Sequence, residues 1–180
     1  MSILRVTDQP PLWAALIFDV GAKFVKTADD PTIVYNLVGR LYLSDSGWLM
    51  LSVPNALVRG VFSAMKEPGI ELPPSGADDN LNAHISVFRP EEIAQLGGAE
   101  KVTERGKQFT YTLGRIYTVE PEWAEMEKVW FIKVHSPELQ ELRRSYGLSS
   151  LPNNGKYHFH ITVAVRRKRV LGRNTVAKAS

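Results

Sequence analysis

Apolar and polar positions along the chain follow two rhythms, and the switches between them mark the elements. Runs of strand length, rich in β-branched and aromatic residues, stand at Trp13–Val20, Ile33–Leu43, Trp48–Val53, Ala83–Phe88, Phe109–Val119 (broken by Gly114), Val129–His135 and Tyr157–Val165. Between two of them, Ser44-Asp45-Ser46-Gly47 reads as a hairpin turn, because Asp and Ser close turns locally and Gly accepts a positive φ. A helical rhythm takes over after Pro54-Asn55: Leu57, Val58, Val61, Phe62 and Met65 form one stripe of 3.6-residue period, and Pro68-Gly69 stops it. Pro90-Glu91-Glu92 reads as a helix start with acids in its first turn. Ser136-Pro137-Glu138 supplies an N-cap, a proline at the first helical position and an acid that suits the helix dipole. Leu139, Leu142 and Tyr146 follow as that helix's buried stripe, and Gly147 ends it. Residues 71–82 and Pro152–Gly155 read as loops.

The same plan occurs twice. Trp48-Leu-Met-Leu-Ser-Val-Pro, a helix, a polar loop and His84-Ile85-Ser86-Val87 parallel Trp130-Phe-Ile-Lys-Val-His-Ser-Pro, a helix, a polar loop and His160-Ile161-Thr162-Val163. The unit is strand–helix–strand, with His-Ile-[Ser/Thr]-Val at the same place in each copy.

A strand turns alternate residues to opposite faces. His84 therefore shares a face with Ser86 and His160 with Thr162, while Ile85, Val87, Ile161 and Val163 face the helices. Two related lobes turned toward each other would bring both His–hydroxyl pairs to one groove. There, one imidazole can take a proton from water or a ribose hydroxyl and the other can protonate a leaving oxygen. The hydroxyls of Ser86 and Thr162 can donate to phosphate oxygens as their charge grows. That chemistry needs neither metal nor cofactor.

With these motifs the chain resembles the 2H phosphoesterase superfamily, whose members carry two His-Φ-[Ser/Thr]-Φ motifs (Φ hydrophobic) in a duplicated, bilobal α+β fold. The resemblance runs from about Trp13 to Val165, and it departs only in having Ser in the first motif where Thr is commoner. It implies an α+β architecture of two pseudo-symmetric lobes with antiparallel sheets around a central groove. It also implies a metal-independent phosphodiesterase acting on a cyclic or short nucleotide phosphodiester, whether a cyclic oligonucleotide, a 2′,3′-cyclic phosphate or a 2′-5′ linkage. The compact size is similar to that of the phage anti-CBASS branch, which destroys cyclic-oligonucleotide immune signals. A non-catalytic RNA- or nucleotide-binding module using the same groove is the alternative, though binding alone does not call for two imidazoles.

Residues beside the motifs are candidates for holding substrate: Lys156 and Tyr157 in the loop before the second motif, Arg89 just after the first, and His158 on the face of His160. Tyr157, Phe159, Trp13, Trp48, Trp123 and Trp130 are rings available for base stacking, although large rings more often pack the core. Trp48 and Trp130, read as equivalent repeat positions, are expected to be structural. His135 is expected to end a strand.

Composition narrows the class. With 180 residues, 44% hydrophobic and 23% charged, the chain has a globular balance, and the absence of cysteine excludes disulfides, zinc–thiolate sites and cysteine nucleophiles. No apolar run is long enough to span a bilayer and the N-terminus lacks a signal-peptide pattern. The expected setting is cytoplasmic (a host's cytoplasm if viral), with no membrane and no obligatory protein partner. The net charge of +3 hides an asymmetry: residues 166–180 hold six basic residues and no acid, whereas residues 1–165 hold the other 16 basic and all 19 acidic ones. One domain over 1–165 and a basic, solvated tail over 166–180 are expected.

Overall fold

The structure is a computed structural model and describes residues 5–6, 23–25, 34–73, 82–122 and 125–168. The strand expected at Trp13–Val20, the rings of Trp13 and Trp123, residues 74–81 and the tail beyond Lys168 lie outside the described residues.

Among the described residues, eight strands and three α-helices follow one another as β1 (Arg5–Val6), β2 (Lys23–Val25), β3 (Val34–Leu43), β4 (Leu49–Ser52), α1 (Asn55–Ala64), β5 (His84–Phe88), α2 (Pro90–Gln95), β6 (Gln108–Val119), β7 (Met126–His135), α3 (Pro137–Ser145) and β8 (His160–Arg167). The fold is α+β, as expected. Its strands join in one antiparallel sheet of order β5-β4-β3-β6-β7-β8, with β1 beside β6 and β2 beside β3. That order reads the same when the set β3, β4, α1, β5 is exchanged for β6, β7, α3, β8. The duplication seen in the sequence is thus a pseudo-twofold about the β3·β6 seam, where Leu37 pairs with Tyr111 and Arg40 with Gln108.

The registers correct the repeat alignment by one residue. Ser52 lies opposite His84 and Met50 opposite Ser86, while Lys133 lies opposite His160 and Phe131 opposite Thr162. Both motifs then bulge at their fourth residue, so Leu49 meets Phe88 and Trp130 meets Ala164. The structural equivalent of Trp130 is therefore Leu49, not Trp48. Trp130 and Phe159 are core residues at 2% and 1% exposure, which removes both from the rings available to a ligand.

A second repeat emerges from the same registers. Gly39-Arg40-Leu41-Tyr42 on β3 and Gly114-Arg115-Ile116-Tyr117 on β6 occupy equivalent places, with Tyr42 opposite Met50 and Tyr117 opposite Phe131. Each glycine admits the neighbouring backbone closely. A Cβ at Gly39 would collide with the Ser52 carbonyl and stand 2.7 Å from Leu51 Cγ, and one at Gly114 would stand 3.0 Å from the Lys133 carbonyl. Ser52 and Lys133 are the residues opposite the motif histidines, so the glycines govern where those positions sit.

The helices cross over. α1, with Leu57, Val58 and Val61 buried, packs on β8; α3, with Leu139 and Leu142 buried, packs on β5 and β6. One core results, in which Ile85 and Val87 of one half join Ile161 and Val163 of the other, all fully buried. Burying such side chains stabilises by about 1.5–3 kcal/mol each. β5 and β8, at the two ends of the strand order, also pack against each other, so the sheet curls back on itself.

Local expectations hold in most places. Ser44 and Gly47 close the hairpin through Ser44 N–H to Trp48 O at 2.8 Å and Gly47 N–H to Ser44 O at 2.9 Å, with Gly47 at φ 81°. Ser136 caps α3, its Oγ accepting from Leu139 N–H at 3.2 Å. The last strand begins at His160 rather than Tyr157, because Asn153, Asn154 and Gly155 take positive φ in succession and hold the preceding loop in turns. At its far end β8 runs to Arg167, two residues into the stretch expected to be tail. Arg166 pairs there with Glu67 and Glu127, and Arg167 with Glu71 and Glu125. Glu71 bridges Val165 through two backbone bonds, extending pairing into the stretch read as loop.

Candidate active site

Both histidines open their strands, His84 in β5 and His160 in β8. Along β5, His84 and Ser86 are partly exposed while Ile85 and Val87 are buried; along β8, His160 and Thr162 alternate with Ile161 and Val163 in the same way. The aliphatic face meets the helices and the His–hydroxyl face does not, as the alternation predicts.

The two imidazoles are held identically. His84 Nδ1 lies 2.7 Å from the Asn82 carbonyl and His160 Nδ1 lies 2.9 Å from the His158 carbonyl, each two residues back along the chain. A carbonyl only accepts, so Nδ1 carries the proton in both rings and Nε2 is left for chemistry. Asn82 reaches that position through a left-handed φ of 39°. Equivalent backbone bonds, Val53 N–H to Ala83 O and Val134 N–H to Phe159 O, both 2.8 Å, fix the residue before each histidine. Asn55 at the start of α1 adds a bond from Ala83 N–H to its Oδ1 at 2.9 Å.

Burial holds the His160 imidazole below its ordinary range; the bond to the His158 carbonyl opposes that shift, and the charge of His84 adds to it. His160 therefore stays neutral at pH values where an ordinary imidazole is partly protonated. Phe131 stands edge-on to His160 with centroids 5.2 Å apart, and Tyr117 stacks on Phe131 at 6.0 Å.

The remaining candidates fall in different places. His158 is exposed beside the pair, and its imidazole is lowered by burial and by the charge of Lys133. Lys156 and Tyr157 are exposed in the loop before β8, Tyr157 at 57%. Arg89 stands by the opposite end of β5 from His84. It follows the last residue of β5, five positions from His84, or about 16 Å along an extended strand. There it lies near Trp48 at 5.8 Å, contacts Glu91 at 3.5 Å, and donates to Asn153 Oδ1 at 3.2 Å, tying the end of the first motif's strand to the loop that leads into the second. His135 is exposed at the end of β7. Among the described residues no group of three or more His, Asp or Glu is placed to hold a metal ion.

Several residues on the histidine face were not singled out from the sequence. Lys133 and Phe131 alternate on β7 opposite His160 and Thr162, and Tyr42, Met50 and Ser52 occupy the matching places beside His84 and Ser86. The repeated Gly-Arg-[Leu/Ile]-Tyr and the period-2 pattern of Val129–His135 are the signals that point to them.

A family model described as Swiss Army Knife, 2H phosphoesterase domain, matches residues 47–171, well over half of the chain and both histidine motifs. No curated protein and no solved structure matches the chain significantly.

Proposed function

The chain belongs to the 2H phosphoesterase domain family, and from that premise we propose that it hydrolyses a cyclic or short nucleotide phosphodiester by two-histidine acid–base catalysis. The observation that carries this reading is the matched anchoring of His84 and His160, each with Nδ1 on a carbonyl and Nε2 free, with the charge of one acting on the other.

His160 is the base. Its lowered affinity for protons keeps Nε2 unprotonated, so it accepts a proton from the attacking water as the water oxygen bonds to phosphorus. His84, protonated at Nε2, gives that proton to the leaving oxygen as the P–O bond breaks. A phosphomonoester and a free hydroxyl are the products, and exchange with solvent restores the two rings. Ser86 and Thr162 donate to the non-bridging oxygens, where such donors contribute about two to three orders of magnitude. Tyr157, Lys156 and His158 line the approach to the second motif. The substrate is a nucleotide or oligonucleotide, with cyclic oligonucleotide signals, 2′,3′-cyclic phosphates and 2′-5′ linkages as its candidate forms.

A chromatographic screen of 2′,3′-cyclic mononucleotides, 2′-5′ and 3′-5′ oligoadenylates and cyclic di- and trinucleotides tests the reading. Turnover that persists in EDTA and is lost in His84→Ala and His160→Ala is expected. Nucleotide binding without turnover of any substrate would replace the proposal by a binding module.

A further inference from the structure

The two halves match in their histidines and hydroxyls but differ in the positions flanking them. Opposite His84 stands Ser52, whose Oγ already accepts from Arg40 N–H at 2.9 Å. Opposite His160 stands Lys133. Directly opposed residues share a face of the sheet, so the position facing the motif histidine is a cation in the second half and a neutral hydroxyl in the first. No carboxylate among the described residues pairs with it. The next row repeats the asymmetry. Met50, opposite Ser86, is engaged by the Tyr42 hydroxyl at 3.5 Å, whereas Phe131, opposite Thr162, carries the Tyr117 ring stacked on it. The second half thus offers an aromatic surface and an unpaired ammonium where the first offers a thioether and an occupied hydroxyl.

Lys133 lowers the imidazole of His158, two residues before His160. Lys133 itself stands opposite His160, the first residue of β8. An unpaired cation beside one histidine only is available to a phosphate of the nucleotide lying on that side. Its aromatic neighbours suit a base, since every base has a face to stack.

We propose that Lys133 and Phe131 are specificity-determining residues that seat the nucleotide on the second-half side, Lys133 binding a second phosphate one nucleotide step from the bond that is cleaved. This rests on the phosphodiesterase reading and narrows it: the preferred substrates are oligonucleotide diesters, and isolated 2′,3′-cyclic mononucleotides are poorer ones.

Equilibrium binding of hydrolysis-resistant, phosphorothioate-linked diadenylate tests the seat without turnover. The probe is prepared with no terminal phosphate, with a 5′-phosphate and with a 3′-phosphate. One phosphorylated form is expected to bind the unaltered protein about tenfold more tightly than the unphosphorylated form, as a charge-assisted bond to phosphate would give. Lys133→Met is expected to abolish that gain, Lys133→Arg to keep most of it, and Phe131→Leu to weaken all forms alike. Equal affinities for the three probes, a gain that survives Lys133→Met, or no binding at all would overturn the proposal. Hydrolysis read separately keeps the two ideas apart. Turnover with no dependence of binding on Lys133 removes the seat and leaves the enzyme; Lys133-dependent binding with no turnover removes the enzyme and leaves the seat.

Discussion

Arg143 and Glu92 form a bidentate ion pair between the two halves, Nη2 to Oε1 at 2.6 Å and Nη1 to Oε2 at 3.0 Å. Arg143 is fully buried on α3. It also donates to the Val87 carbonyl at the bulge of the first motif and to the Ser149 carbonyl, while Glu92 accepts from Arg89 N–H at the start of α2. Burial alone would raise the Glu92 carboxyl, but its bonds to Arg143 and Arg89 and their charges outweigh that and hold it below the ordinary range. Removing one partner leaves the other charge buried and alone, so Arg143→Met or Glu92→Gln is expected to destabilise by about 3 kcal/mol or more in urea unfolding. A depressed carboxyl stabilises above its ordinary pKa and ceases to as pH falls through the lowered value. Unfolding below pH ~4.5 should therefore lose a component that Glu92→Gln lacks.

Replacing either motif histidine tests the acid and the base. His84→Ala and His160→Ala should each lower kcat by about a thousandfold, the scale of one acid–base group, with melting temperature little changed. Full activity in both variants would leave the pair without a catalytic role.

The pH dependence follows from the depressed His160 imidazole. Activity needs that ring neutral, so the acid limb of kcat/KM should lie below the ordinary imidazole value of ~6.5. Stability should respond with the same sign: above ~6.5 the folded state carries no penalty, and as pH falls from there toward the lowered folded value the unfolded chain takes up the proton first and stability declines. His84→Asn removes one cause of the depression, so the His160 titration followed by NMR should move upward. An unmoved titration would mean that the rings do not share a site.

Close approach at the two glycines gives a structural prediction. Gly39→Ala drives a methyl into the Ser52 carbonyl and should cost about 1–3 kcal/mol in thermal unfolding. Gly114→Ala, with 3.0 Å to the Lys133 carbonyl, should cost less. Equal, negligible costs would contradict the strand spacing described.

The strands β3 to β8, the three helices, the hairpin turn, the Ser136 cap and the faces of both motifs were legible because each depends on local periodicity and capping. What escaped depends on register. The registers equate Leu49 with Trp130 and Ser52 with Lys133, so aligning the repeats on Trp48 and Trp130 misplaces the residues of β4 and β7 by one. That error hid Tyr42, Tyr117 and Lys133. The Arg143–Glu92 pair joins residues 51 positions apart, and no local pattern announces such a contact.

The crossing of α1 onto β8 and of α3 onto β5 has a last consequence. A fragment containing β3, β4, α1 and β5 alone would leave Ile85 and Val87 uncovered, and the complementary fragment would strand Ile161 and Val163 in the same way. Neither copy of the repeated unit covers its own aliphatic face. Assembly must be cooperative across the seam, so both imidazoles come into working position in one event.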